Sequence, residues 1–167
     1  IEEPPWRDTV ASAREELEAW QQRPAVYAHG DPPLDLWEAM KILSRAVPED
    51  AIIANGAGNF ATWAHRFWRY TGLRTQLAPT AGAMGYGVPA AIAAKLVHPA
   101  RTVVSWNGDG CFLMNGQELA TAVQHRAAVV FVVLDNGMYG TIRMHQEREY
   151  PGRVIGTDLV NPDFVAF

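Results

Sequence analysis

The chain has 167 residues, 49% of them hydrophobic and 19% charged, which is enough apolar side chain to bury one ordinary core. A net charge of −4 without clustered basic residues excludes a polyanion-binding surface and leaves nucleic acid without a footprint. The single cysteine, Cys111, excludes an internal disulfide, and no stretch reaches the ~20 apolar residues of a bilayer crossing, so a soluble cytoplasmic protein that meets no membrane is expected.

Residues 6–22 are charged and alanine-rich with few large apolar side chains, which predicts a solvated helix or a linker. After the turn-prone His29-Gly30-Asp31-Pro32-Pro33, Leu36, Met40, Leu43 and Val47 recur at helical spacing until Pro48 ends the run. Residues 51–54 read as a short strand that breaks at Asn55-Gly56-Ala57-Gly58. Residues 60–70 then return to helical character, with Trp63, Phe67 and Trp68 suited to packing or subunit contact and His65 on the same helix.

The unit repeats. Residues 76–78 form a short strand, 80–87 a glycine-rich connection, and 88–96 an alanine-rich helix with His98 at its dipole-favoured end. Residues 101–106 are a β-branched strand, 107–110 a turn, and 115–125 a helix closed by His125, in which Asn115 and Glu118 have capping-box spacing. The run 128–134 is almost wholly apolar, as in a strand covered on both faces. Asn161 as N-cap and Pro162 at the first helical position announce a last helix with no room to run. With Ile1 in place of a methionine, this suggests a piece of a longer protein. Residues 1–33 are then the tail of a preceding domain or a linker, and 34–167 a domain truncated at its C-terminus.

Strands alternating with helices imply βαβ units, and hence a doubly wound α/β fold: a mostly parallel sheet, right-handed crossovers and helices on both faces. In such a sheet ligands bind outside the strand carboxyl ends. The turns at 55–58, 107–110 and 135–140 leave such ends and should converge on one rim.

Asp109 lies between two glycines just past one strand, and Asn136 lies just past the next. On neighbouring strands, the carboxylate, the amide oxygen and a nearby backbone carbonyl make a hard oxygen ligand set that magnesium or calcium accepts, with positions left for water or phosphate. Gly108 and Gly110 clear the backbone for a bulky anion, and the helix expected from Asn115 offers free N–H groups. A metal-bound diphosphate fits that pattern.

Gly108-Asp109-Gly110, followed by Asn136 in Leu134-Asp135-Asn136-Gly137, resembles the thiamine diphosphate motif. The wider text, GDGCFLMNGQELATAV, LDNGMYGTIR and GAMGYGVPAAIAA, resembles the C-terminal, diphosphate-binding domain of the acetolactate synthase, pyruvate oxidase and benzoylformate decarboxylase group, from about Leu34 to Phe167. The resemblance implies that Asp109, the Asn136 side chain and the Met138 carbonyl hold Mg2+. Backbone N–H groups of Gly110, Cys111, Tyr139 and Gly140, beside Gly108, would meet the diphosphate. Met84 would sit under the bend of thiamine diphosphate and donate its N–H to the pyrimidine, and the Gly82 carbonyl would accept from the 4′-amino group. Ala57, Gly58 and Asn59 would line the diphosphate end, where the family more often has glutamine and histidine, and Asp135 stands where asparagine is commoner.

The implied activity is decarboxylation or carboligation of a 2-oxo acid. It requires a glutamate on a pyrimidine-binding domain, supplied in the family by a partner subunit of a homodimer or homotetramer, so the fragment alone is expected to have no turnover. FAD, if used, would bind the middle domain of the longer enzyme. Arg143 and His145 are candidate contacts for a substrate carboxylate. Cys111 reads as a small side chain rather than a nucleophile, and Glu118 as structural. The alternative is a non-catalytic nucleotide- or phosphate-binding module, although 55–61 matches a dinucleotide fingerprint only loosely, and no acid follows about 20 residues on. A degenerate homologue that binds neither ligand is the third possibility.

Overall fold

A computed structural model describes residues 5–24 and 34–167 of the chain; the turn expected at 29–33 lies outside the described residues. The first helix, α1 (Arg7–Trp20), buries no side chain, as its charged composition predicts. It is tied to the rest through Arg66, whose Nε donates to the Trp20 carbonyl at 2.6 Å while its guanidinium lies 4.9 Å from the Trp20 ring centroid. In α2 (Leu36–Ala46), Asp35 caps the N-terminus by accepting from the Glu38 N–H, and Met40 is wholly buried.

Four strands follow: β1 (Ile52–Asn55), β2 (Gln76–Leu77), β3 (Val103–Gly108) and β4 (Val130–Leu134), all parallel, in the order β2-β1-β3-β4. Helix α3 (Ala61–Phe67) connects β1 to β2, and α4 (Gly87–Val97) connects β2 to β3. Helix α5 (Asp109–Leu113), a 3-10 turn (Gly116–Glu118) and α6 (Leu119–Gln124) lead to β4, and α7 (Gly140–Glu149) follows it.

The period-2 alternation of strand side chains divides the core in two. Ile53, Val104 and Trp106 pack with Met40, Ala64 and Trp68 under α2 and α3. On the other face Ile52, Ala54 and Val103 meet Ala91 and Ala94 of α4, and next to them Val88, Ile92, Phe112 and Ala122 close over Phe131 and Val133. Helices therefore cover both faces, as expected of a doubly wound α/β fold.

Four local expectations are corrected. No turn occupies 107–110: β3 runs through Gly108 and α5 starts at Asp109, so the carboxylate enters a helix directly. The helix expected at 115–125 is split, because Asn115 leaves helical geometry (φ −139°) and a 3-10 turn intervenes before α6. The capping box does not form: Asn115 Nδ2 donates to the Gly85 carbonyl at 2.9 Å, and Glu118 accepts from the Thr121 hydroxyl at 2.6 Å. Finally, β4 is less buried than its apolar run implies: Val132 and Leu134 pack on one half of the core and Phe131 and Val133 on the other, but as the outermost described strand, paired only with β3, it leaves each residue part-exposed, and Val130 is 48% exposed.

Candidate functional site

The chain leaves β1 toward β2 and returns to β3 on the other side, so the order of strands reverses between β1 and β3, the place where open parallel sheets form a ligand crevice. A buried asparagine closes β1, Asn55, and another stands next to the last residue of β3, Asn107. Asn55 Nδ2 donates to the Gly56 carbonyl (2.9 Å) and its Oδ1 accepts from Gln76 (3.1 Å), which pins the turn after β1. Asn107 Nδ2 donates to Ser105 Oγ at 2.7 Å, while its Oδ1 is buried without a partner. The Gly56 N–H reaches across to the Trp106 carbonyl at 3.2 Å, and the Trp106 indole N–H donates to the Phe60 carbonyl at 2.9 Å. These bonds fix the two turns against each other.

Above them lies a cavity of about 650 Å³. Ala57, Gly58 and Asn59 line it from the turn after β1, and Met84 from the connection before α4. Gly108, Asp109, Gly110 and Cys111 line it from the end of β3, and Asn136, Met138, Tyr139 and Gly140 from the loop after β4. The segments that follow β1, β3 and β4, scattered along the sequence, thus converge on one rim. Gly82, with φ +66°, is not among the lining residues, nor are Arg143 and His145. Arg143 is instead held by Glu147 (2.9 Å) and Asp158 (3.1 Å), which raise its pKa in that order, and exposed His145 meets Arg148 at 2.9 Å. Cys111 is buried and its Sγ accepts from the Gly85 N–H at 3.1 Å, the contact of a packed thiol.

The oxygen set predicted for a metal can be tested against this geometry. Asp109 is only 3% exposed and lines the cavity, whereas Asn136 is solvent-exposed on the loop after β4. Asn136 Oδ1 accepts from the Met138 N–H at 3.3 Å, and the Met138 carbonyl from the Gly140 N–H at 2.9 Å, so each oxygen keeps a second lone pair. Among the described residues no group of three or more His, Cys, Asp or Glu side chains could hold a metal. The donor set fits a hard divalent cation.

At Gly108 and Gly110 the missing side chain makes room for aromatic rings of the protein itself rather than for the bulky anion expected there. A Cβ on Gly108 would lie 2.8 Å from the Phe60 ring, and one on Gly110 2.4 Å from the Tyr139 ring, so both aromatic rings rest on bare backbone. Of the N–H groups expected to face an anion, Gly110 and Cys111 lie in the first turn of α5, which has no acceptors of its own. The Tyr139 N–H, in contrast, already donates to the Thr157 carbonyl (2.8 Å), and the Gly140 N–H to Met138. In α7 the first-turn donors without an intrahelical partner that also line the cavity include Thr141 and Ile142.

The model of the family described as "Thiamine pyrophosphate enzyme, C-terminal TPP binding domain" matches residues 56–167, which include 57–59, 108–111 and 136–140 of the rim. The chain belongs to that family. It is 39% identical over 132 residues to the acetolactate synthase large subunit of Corynebacterium glutamicum, covering 75% of this chain and 21% of that protein. It is 34% identical over 164 residues to the acetolactate synthase isozyme 2 large subunit of Escherichia coli, covering 96% of this chain and 28% of that protein. Acetolactate synthase 1, chloroplastic, of Zea mays is 33% identical over 159 residues, 95% of this chain and 24% of its own length. The chain spans about a fifth of the length of the first relatives it matches.

Within this thiamine pyrophosphate-binding domain, one residue at the rim escaped the sequence reading. Asn161 does not cap a helix. Asp163 takes that part, its Oδ1 accepting from the Val165 and Ala166 N–H groups, and the chain there makes only a turn. Asn161 Nδ2 instead donates to Asp109 Oδ2 and to Asp135 Oδ1, each at 2.7 Å. An Asn-Pro pair reads locally as a helix start, and partners 52 and 26 positions away leave no periodic trace.

Proposed function

We propose that this chain is the diphosphate- and magnesium-holding domain of an acetolactate synthase-like enzyme that acts on 2-oxo acids. The convergence of Asp109, Asn136 and Met138 with Gly108 and Gly110 on one cavity of a domain of this family is the observation that supports it. Asp109, the Asn136 amide oxygen and the Met138 carbonyl would hold Mg2+. The N–H groups of Gly110 and Cys111 would meet the diphosphate, as would those of Tyr139 and Gly140 once released from their present acceptors, with Thr141 and Ile142 beside them. Ala57, Gly58 and Asn59 would line its far side.

Thiamine diphosphate, when bound, supplies the nucleophilic carbon and the electron sink for decarboxylation of the 2-oxo acid and transfer of the remaining fragment. This chain's residues bind and orient it. Asp109 brings a negative charge to a buried position, where a cation is worth more than in water. Met84, half-buried at the cavity wall, would support the bend of the cofactor, and the Gly82 carbonyl would accept from its amino group. Arg143 and His145 would reach a substrate carboxylate only after rearranging from their present partners. The proton relay through a glutamate would come from a pyrimidine-binding domain on a partner subunit in a homodimer or homotetramer. Residues 1–33 would be the tail of a preceding domain or a linker, and the site of action would be the cytoplasm. Among the described residues no helix is long and apolar enough to cross a membrane.

Calorimetry separates this reading from a nucleotide-binding module. Titration with thiamine diphosphate and Mg2+ is expected to give saturable binding, and titration with NAD and Mg2+ none; the reverse result overturns the proposal. The chain alone is expected to release no carbon dioxide from pyruvate in the presence of cofactor.

A further inference from the structure

The segment that ends at Asn161 lies as a strap along the loop after β4. The Thr157 carbonyl accepts from the Tyr139 N–H and the Leu159 N–H donates to the Gly137 carbonyl, both at 2.8 Å, and Met138 and Asp158 form an antiparallel bridge. Arg143 secures the same stretch through Asp158 at 3.1 Å. The strap is therefore zipped to the backbone that carries Asn136 and Met138. Its last residue crosses to the other half of the site, where the Asn161 amide touches Asp109.

That contact is economical in atoms. The amide has two hydrogens, and one is given to each of two carboxylates, Asp109 and Asp135. No Lys, Arg or His among the described residues forms an ion pair with either acid, so the amide supplies partial positive charge between two like charges. It binds Asp109 through Oδ2, which leaves Oδ1 without a hydrogen-bond donor from the strap. The Asn161 Oδ1 is itself buried without a partner, so the side chain holds its place through its donor end alone.

We propose that Asn161 is a positioning residue for the metal site: it fixes the Asp109 carboxylate with one oxygen engaged and the other free, and it couples closure of the strap over 137–139 to occupation of the site by a divalent cation. The inference rests on the magnesium and thiamine diphosphate reading above. Partners that orient a ligand in this way typically cost about 10- to 100-fold in metal affinity when removed.

The test uses the chain as it stands, with Mn2+ as the probe. Free Mn2+ is followed by electron paramagnetic resonance during titration in the presence of thiamine diphosphate. Hydrogen exchange of the amides at 157–161 is measured with and without metal. Asn161→Leu, which keeps the side-chain size and removes the donors, is expected to weaken Mn2+ binding about 10- to 100-fold. It is also expected to abolish the metal-induced protection of the strap. Asn161→Ser, too short to span both carboxylates, is the second variant should leucine prevent folding, and the same loss is expected. Wild-type Mn2+ affinity in a folded Asn161 variant, with strap exchange faster or unchanged, overturns the positioning role and leaves the cofactor reading intact. A wild-type chain that takes up no Mn2+ overturns both.

Discussion

The Cα of Gly87, at the first position of α4, faces the side chain of Asn107 at the end of β3 so closely that a Cβ there would lie 2.2 Å from Asn107 Oδ1 and 2.8 Å from the Gly56 nitrogen. Ser105 Oγ donates to the Gly87 carbonyl at 3.1 Å from the same side. The start of α4 is thus pressed into the junction of the two strand ends that found the site. Gly87→Ala must push backbone as well as side chain, and a loss of about 1–3 kcal/mol is expected from such overpacking. Urea unfolding followed by tryptophan fluorescence measures it, and an unchanged midpoint would show that the junction yields freely.

Trp106 joins the two turns by another route. Its ring is 2% exposed, and its N–H satisfies the Phe60 carbonyl at 2.9 Å. Trp106→Phe keeps most of the apolar contact and strips that donor. The carbonyl left without its partner is expected to lower stability by about 1–3 kcal/mol. The Phe60 ring, which rests on Gly108, is expected to loosen with it, detected as broadened ring resonances in NMR.

Much of this arrangement was legible before any coordinates, because its physics is local. Strand, glycine turn and helix alternate at 51–67 and again at 103–124, and that rhythm alone implies a parallel sheet with its turns on one rim. What failed was long-range. Asn115 and Glu118 have the spacing of a capping box, but Gly85, at φ +83°, brings its carbonyl to Asn115 and takes the amide away. The apolar run before Asp135 packs on both faces as expected, yet hydrophobicity cannot say which strand ends at an edge, and β4 does, so its burial is only partial. Asn161 looked like a cap because Pro162 follows it, while its partners are the two acids at the far ends of β3 and β4.

The pH response of α2 can be isolated at Asp35. The Glu38 N–H is the main influence that holds its carboxyl below the usual carboxylate range; burial opposes it, and the Arg23 guanidinium and the Trp37 N–H add to the lowering. A depressed folded pKa means that the carboxylate's contribution is fully present above the ordinary value near 4 and is lost as pH falls through the lower folded value. Asp35→Asn keeps a capping oxygen and removes the titration. The stability difference between wild type and Asp35→Asn is therefore expected to be constant above about pH 5 and to shrink below about pH 4, read from urea midpoints across that range.

The most direct test of the site compares thiamine diphosphate binding by wild type and Asp109→Asn, titrated calorimetrically with and without Mg2+. The substitution keeps the side chain's shape and removes the charge that a cation needs. Wild type is expected to bind the cofactor only when Mg2+ is present, and Asp109→Asn is expected to lose that magnesium-dependent binding while remaining folded. Equal magnesium-dependent affinity in the two proteins would contradict the assignment of Asp109 to the metal.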